Sequence, residues 1–203
     1  KEKKYIILIT AFFAIGSVIY SLSLTNHFKS QSLLIARTTS EGGGLAKYSG
    51  LAAMAGVSLP SSGDDKAAQS IELIKSRKFV KHLLQFEDVL PSLLAEKSYN
   101  SSTRELIFDP KKYNSKTKIW KRKAERNRSV IPSYLEAHGA YRNIMSISQD
   151  KVTGFISVSI EHISPVFAKE FLDLIIRESN ELLRRKDMEE SKQGIEYLKS
   201  ELS

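Results

Sequence analysis

From Tyr5 to Leu24 the chain runs for 20 residues without a charge, a His or a Pro. As a helix that is about 30 Å, the thickness of a bilayer's hydrocarbon core. A cleaved secretory leader is the other reading. Lys1, Lys3 and Lys4 resemble its basic start, and Ser21-Leu22-Ser23 has the small-x-small pattern of a cleavage site. The run exceeds the roughly 7–15 apolar residues of a leader, which favours an anchor that presents Tyr5, Phe12, Phe13, Gly16, Tyr20 and Leu24 to lipid. Either way, the 179 residues from Thr25 onward are expected outside the cytoplasmic membrane. Lys29 and Arg37 are the only Lys or Arg in the fifteen positions after the run, so the flanking charge adds little to the orientation. Lys1 stands where an initiating Met would, and Tyr197 to Ser203 continue a helical pattern without a Gly or Pro stop, which reads as a piece of a longer chain.

The 203 residues include no Cys. A disulfide framework, a Cys-containing zinc site, an iron–sulfur cluster and a cysteine nucleophile are therefore excluded. With 41% apolar residues, the part beyond the span must be held by an ordinary buried core.

Phe28 to Ala36 ends in an apolar run and is expected to be a first strand. Residues 40–63 are rich in Gly, Ser and Pro but carry Leu45, Leu51, Met54, Val57 and Leu59. A loop with that apolar content is expected to pack on something, such as a neighbouring protomer. Asp64 and Asp65 suit a helix start, and Ala67, Ile71 and Ile74 fall on one face before a break at Ser76-Arg77-Lys78. Phe79, Leu83 and Phe86 continue helical spacing in a second short helix. The run Glu105-Leu106-Ile107-Phe108 reads as a strand ended by Pro110, followed by a long polar connection to Pro132. Ser133 and Glu136 form a Ser-x-x-Glu capping box that should start a helix reaching about Asn143. Ile144 to Ser148 and Phe155 to Ile160 read as a hairpin. Ser164-Pro165 opens a segment with no further Pro, whose first half carries Phe167, Phe171, Ile175 and Leu182 on one face. From Arg184 onward only Met188, Ile195, Leu198 and Leu202 recur, at nearly heptad spacing, which suits a helix that projects or pairs with other helices.

Catalytic and cofactor motifs are missing from this pattern. The glycines at 42–44 do not make GxxxxGK[ST] or GxGxxG, and His27, His82, His138 and His162 include no HExxH and no i, i+4 pair. No GxSxG occurs. No catalytic residue, cofactor or metal ligand is therefore expected. The charge anomaly lies at 111–128, where nine Lys and Arg face one acid, Glu125, a net +8 that equals the excess of the entire chain. Nucleic acid is hard to reach downstream of a membrane span, so no nucleic-acid partner is expected. Two readings stay open: a solvated basic loop, or a surface for anionic glycan or lipid built on Lys118, Trp120, Lys121, Arg122 and Lys123, with Tyr113 also available to stack on sugar rings.

An ordered set of segments resembles a known family. It comprises the N-terminal span, a first strand ending in Leu33-Leu34-Ile35-Ala36, Gly42-Gly43-Gly44-Leu45-Ala46, Gly50 to Pro60, Ile71 to Arg77 with Phe79, Trp120, Pro132-Ser133 with Glu136-Ala137, Thr153-Gly154, and Ser157 to Ile160 followed by His162 and Ser164-Pro165. Together these look like the Wzz-type chain-length determinants, the polysaccharide co-polymerases of Gram-negative inner membranes. The resemblance implies an α+β protein with a transmembrane helix at 5–24 after a cytoplasmic end at 1–4. A periplasmic mixed α/β base domain with a small β-sheet would follow at 25–163, then the start of a long projecting helix at 164–203. It implies a homo-oligomer, not an enzyme, that sets the modal length of O-antigen glycan made by a Wzy-type polymerase. Homo-oligomer contacts, the polymerase, the growing O-antigen and membrane lipid are the partners so implied. The second, C-terminal span of the family is not in this sequence. The alternatives are the membrane adaptor of a capsule or exopolysaccharide exporter linked to a cytoplasmic tyrosine autokinase, a hairpin export adaptor, or a sensor domain. As a solvated loop, the basic segment should tolerate replacement of Lys121, Arg122 and Lys123 together by Gln with the fold intact, as judged by circular dichroism.

Overall fold

The computed structural model describes residues 2–35, 62–124, 128–150 and 153–201. Helix α1 (Glu2–Ser23) is continuous across the uncharged run, and an apolar stretch of it from Lys3 to Ser21 is long enough to cross a membrane. Phe12 is 72% exposed and Phe13 69%, so the helix has no core of its own to join.

Strand β1 (Phe28–Leu34) begins four residues after Leu24. Helices α2 (Ser62–Lys75), α3 (Arg77–Leu83) and α4 (Val89–Leu94) follow the stretch outside the described residues. Next come β2 (Glu96–Asn100), β3 (Glu105–Phe108) and a two-residue ribbon of β4 (Tyr113–Asn114) and β5 (Ile119–Trp120). Helix α5 (Tyr134–Ile144), strands β6 (Met145–Gln149) and β7 (Ile156–His162), and helix α6 (Pro165–Glu201) complete the order.

The main sheet has the order β1-β7-β6 and is antiparallel throughout. Its register pairs Phe28 with His162 and Leu34 with Ile156 on one side of β7, and Met145 with Ile160 on the other. The two-residue period of a strand then turns Ile156, Val158, Ile160 and His162 to one face, where all are buried. The tight turn between β6 and β7 needs a left-handed residue, and Gly154 supplies it with φ 74.

Helix α6 lies on the apolar face of the sheet through Ala168, Phe171, Leu172, Leu174 and Ile175. Ser164 caps it, its Oγ accepting the Phe167 N–H at 3.2 Å. Past Leu183 the described residues of α6 are exposed on every side, so the projecting second half expected from composition is what forms. At 37 residues the helix is about 55 Å long.

The capping box at α5 forms on both sides, Ser133 accepting from the Glu136 N–H and Glu136 from the Ser133 N–H. Inside that helix Tyr141 is completely buried, its ring edge-on to Phe171, and its hydroxyl donates to the Ile74 carbonyl at 3.1 Å. Burial pushes the Tyr141 hydroxyl pKa well above its usual value, so the group remains a donor. The break at Ser76 holds because its Oγ accepts the Phe79 N–H and starts α3.

Several expectations need correction. Helix α3 stops at Leu83, and Phe86 sits half-buried in the turn beyond it. Helix α4 and strand β2 were not expected at all. Pro91 and the left-handed Asp88 (φ 64) disguise the short helix, and the polar sequence of β2 hides a strand whose partner is local. The polar connection before Pro132 contains the β4–β5 ribbon, nucleated by Tyr113 packing on Trp120 at 5.1 Å.

Phe171→Ala is expected to cost about 3–5 kcal/mol in chemical denaturation. Tyr141→Phe, which strands the Ile74 carbonyl without removing volume, should cost about 1 kcal/mol.

Candidate functional site

Of the six proposed anchor positions, Tyr5, Phe12, Phe13, Gly16 and Tyr20 lie in α1 and Leu24 just past its end; all are exposed, and Gly16 has open space around it. Leu45, Leu51, Met54, Val57 and Leu59, proposed for packing between protomers, lie outside the described residues.

The basic segment divides into structural and solvated cations. Lys121 and Lys123 are exposed. Lys118, left-handed at φ 53, is ion-paired with Glu87 at the tip of the β4–β5 ribbon. Arg122 differs from a solvated cation, with its side chain only 20% exposed. Its guanidinium donates to both carboxylate oxygens of Glu136, to the Ser129 carbonyl at 2.8 Å and to the Val130 carbonyl at 2.9 Å. This fork closes the basic loop onto the first turn of α5, and Glu136 thereby serves the capping box and Arg122 together. The solvated-loop reading is therefore corrected at Arg122. Its i+14 partner was invisible because nothing in the local pattern marks it.

Arg122, followed by the Ser133 hydrogen bonds, holds the Glu136 carboxyl far below its usual range, at about 2. Tyr113 is 5% exposed beneath Trp120 and Phe108, so its ring is not offered to a sugar. Burial, with the nearby Asp88 charge second, raises the Tyr113 hydroxyl pKa. Trp120 is half-buried and keeps only part of its ring free.

The sequence treated every His as a core or surface residue, and the structure gives three of them specific partners, His138 meeting the Lys75 carbonyl at 3.1 Å. His162, with its side chain 1% exposed, accepts the Ser164 N–H on Nδ1 at 3.0 Å. That leaves the Nε2 proton for Glu96 at 2.7 Å and the Ser92 carbonyl at 3.1 Å. One ring thus joins β7, α4, β2 and the cap of α6. His82 meets Glu178 of α6 at 2.8 Å, and this bond, ahead of one from Arg177, lowers the Glu178 pKa. Among the described residues no group of His, Asp and Glu could hold a metal ion.

A cleft of about 620 Å³ opens between β3, the β4–β5 turn and the start of α6, with Asp88, Arg104 and Lys118 among its walls. Those are the three described non-Gly residues with positive φ, and the cleft's wall mixes Glu105 and Glu170 with the rings of Phe108 and Phe167. No side-chain pair in it has the geometry of a nucleophile and base.

Residues 1–86 match the family model Wzz, chain length determinant protein. The matched stretch takes in α1, β1, α2 and α3, and so runs from the apolar N-terminal helix to the first elements of the core. No curated protein matches the chain.

A carboxyl whose folded pKa is depressed stabilises the fold above its unfolded pKa and loses that stabilisation as pH falls to the folded one. For Glu136 the window runs from its usual 4.5 down to about 2. Arg122→Gln is expected to cost about 1–2 kcal/mol near neutral pH and to flatten the acid limb of stability across that window, read by denaturant titration at several pH values. Lys121→Gln with Lys123→Gln should change neither.

Proposed function

We propose that this protein sets the modal chain length of a bacterial surface polysaccharide, most specifically O-antigen made by a Wzy-type polymerase. It would act as a homo-oligomer in the inner membrane with its bulk in the periplasm. The observation that carries this reading is the Wzz match over residues 1–86, which includes the helix long and apolar enough to cross a membrane. The shape of α6 supports it. The first half is committed to the core, while the exposed second half offers Met188, Ile195 and Leu198 to other helices. In this reading Leu45, Leu51, Met54, Val57 and Leu59 contribute to contacts between protomers, and Lys118, Lys121 and Lys123 face growing glycan or lipid. Length control would arise from assembly geometry and from contacts with polymerase and glycan, with no bond made or broken by the chain itself.

Deleting the full gene in the source bacterium should convert a modal polysaccharide band into a random-length ladder on a gel, and restoring it should return the band. An unchanged ladder with loss of capsule would move the tyrosine-kinase-linked export adaptor to first place. Full-length protein that stays monomeric in mild detergent would remove the oligomer from the proposal.

A further inference from the structure

The membrane helix and the core are joined by a very short tether. Leu24 ends the uncharged run and Phe28 begins β1, four residue steps that reach at most about 14 Å. Phe28 is paired with His162 at the end of β7, and its ring meets that of Tyr99 in β2 at 6.4 Å. From His162 the chain passes through Ile163 and Ser164 into α6. The β2–β3 hairpin and the first turns of α6 therefore gather at the end of the sheet nearest the bilayer, whose headgroup layer adds about 5–8 Å on each side of the hydrocarbon.

Between that hairpin and α6 lies a concavity of about 540 Å³. Tyr99 and Val166 give it an apolar wall, and Arg104 and Lys169 bring two cations to it. Glu170 and Asp173, from the same helix as Lys169, add two carboxylates. These four charged side chains form no ion pair or hydrogen bond among the described residues. Arg104 sits in a left-handed conformation (φ 56) directly after a turn in which Asn100 Oδ1 accepts the Ser102 and Thr103 N–H groups. Two cations and two carboxylates, all unpaired, on one half-apolar wall beside a bilayer complement a zwitterion better than a simple anion.

We propose that this concavity is a binding site for an ethanolamine phospholipid of the membrane that α1 enters. Arg104 and Lys169 donate to the phosphate oxygens, the Arg fork matching the phosphate geometry. Glu170 and Asp173 receive the ammonium group. Tyr99 and Val166 pack on the glycerol region, where a ring with one polar end is at home. The site rests on α1 being a membrane span and is independent of any role in polysaccharide length. It would couple the start of α6 to the bilayer surface.

The absence of Cys allows single thiols to be introduced cleanly. Full-length protein carrying a fluorophore at Thr103→Cys, in nanodiscs of ethanolamine and glycerol phospholipids with a headgroup-attached quencher, should be strongly quenched, as should a label at Ser21→Cys near the end of α1. Quenching at Ser21 but not at Thr103 would overturn the proposal, and quenching at neither would overturn the span reading with it. Native mass spectrometry of unlabelled protein released from the same nanodiscs should show retained ethanolamine lipid enriched at least about threefold over its bulk share. Arg104→Gln with Lys169→Gln should abolish that retention, and Arg104→Lys should keep most of it. Glu170→Gln with Asp173→Asn should hold lipid but lose the preference for ethanolamine over glycerol headgroups. Retention that ignores all four residues, or a wild-type preference for glycerol lipid, would overturn the assignment. Circular dichroism on each variant separates loss of the site from loss of the fold.

Discussion

Strand β7 is paired on both edges and covered on one face by α6, and every other element takes its position from that arrangement. Ile156, Val158 and Ile160 turn inward against Phe171, Leu172 and Ile175. Tyr141 then carries the core across to α2 by touching Phe171 with its ring and Ile74 with its hydroxyl. Because a one-residue slip of β7 would exchange its buried isoleucines and valine for Ser157, Ser159 and Glu161, burial specifies the register strongly. The same register places Phe28 opposite His162, and so determines which end of the sheet lies nearest α1 along the chain.

Polar interactions do a different job in this molecule. Each of the two best-connected ones joins segments far apart in sequence. His162 links the end of β7 with α4, β2 and the cap of α6. Arg122 ties the basic loop to Glu136 and to the carbonyls of Ser129 and Val130. In both cases a buried or half-buried polar group is satisfied by several partners, the condition under which such a group is tolerated away from water. No described buried side-chain nitrogen or oxygen lacks a partner.

An exposed apolar helix long enough to cross a membrane is connected by a short tether to a small mixed core, and a helix leaves that core with its outer half uncovered. The Wzz match covers the first part of this plan, from the apolar helix through the first elements of the core.

Much of the plan was legible locally. The uncharged run dictated a membrane-length helix, Ser133 and Glu136 a capped helix start, Thr153-Gly154 a hairpin turn, and Ser164-Pro165 the beginning of α6, because each is decided by residues within one turn of one another. The shift at Arg184 from an amphipathic to a charged helix also showed where α6 leaves the core. Tertiary structure alone decided the rest. Helix α4 and strands β2, β4 and β5 are too short for periodicity to reveal them and exist because neighbours such as Phe28, His162 and Trp120 pack on them or bond to them. For the basic segment, sequence by itself determined only its charge. Whether a given cation was solvated or structural depended on a carboxylate fourteen residues away being brought to Arg122, and that approach is made by the chain's return into α5 rather than by any local preference.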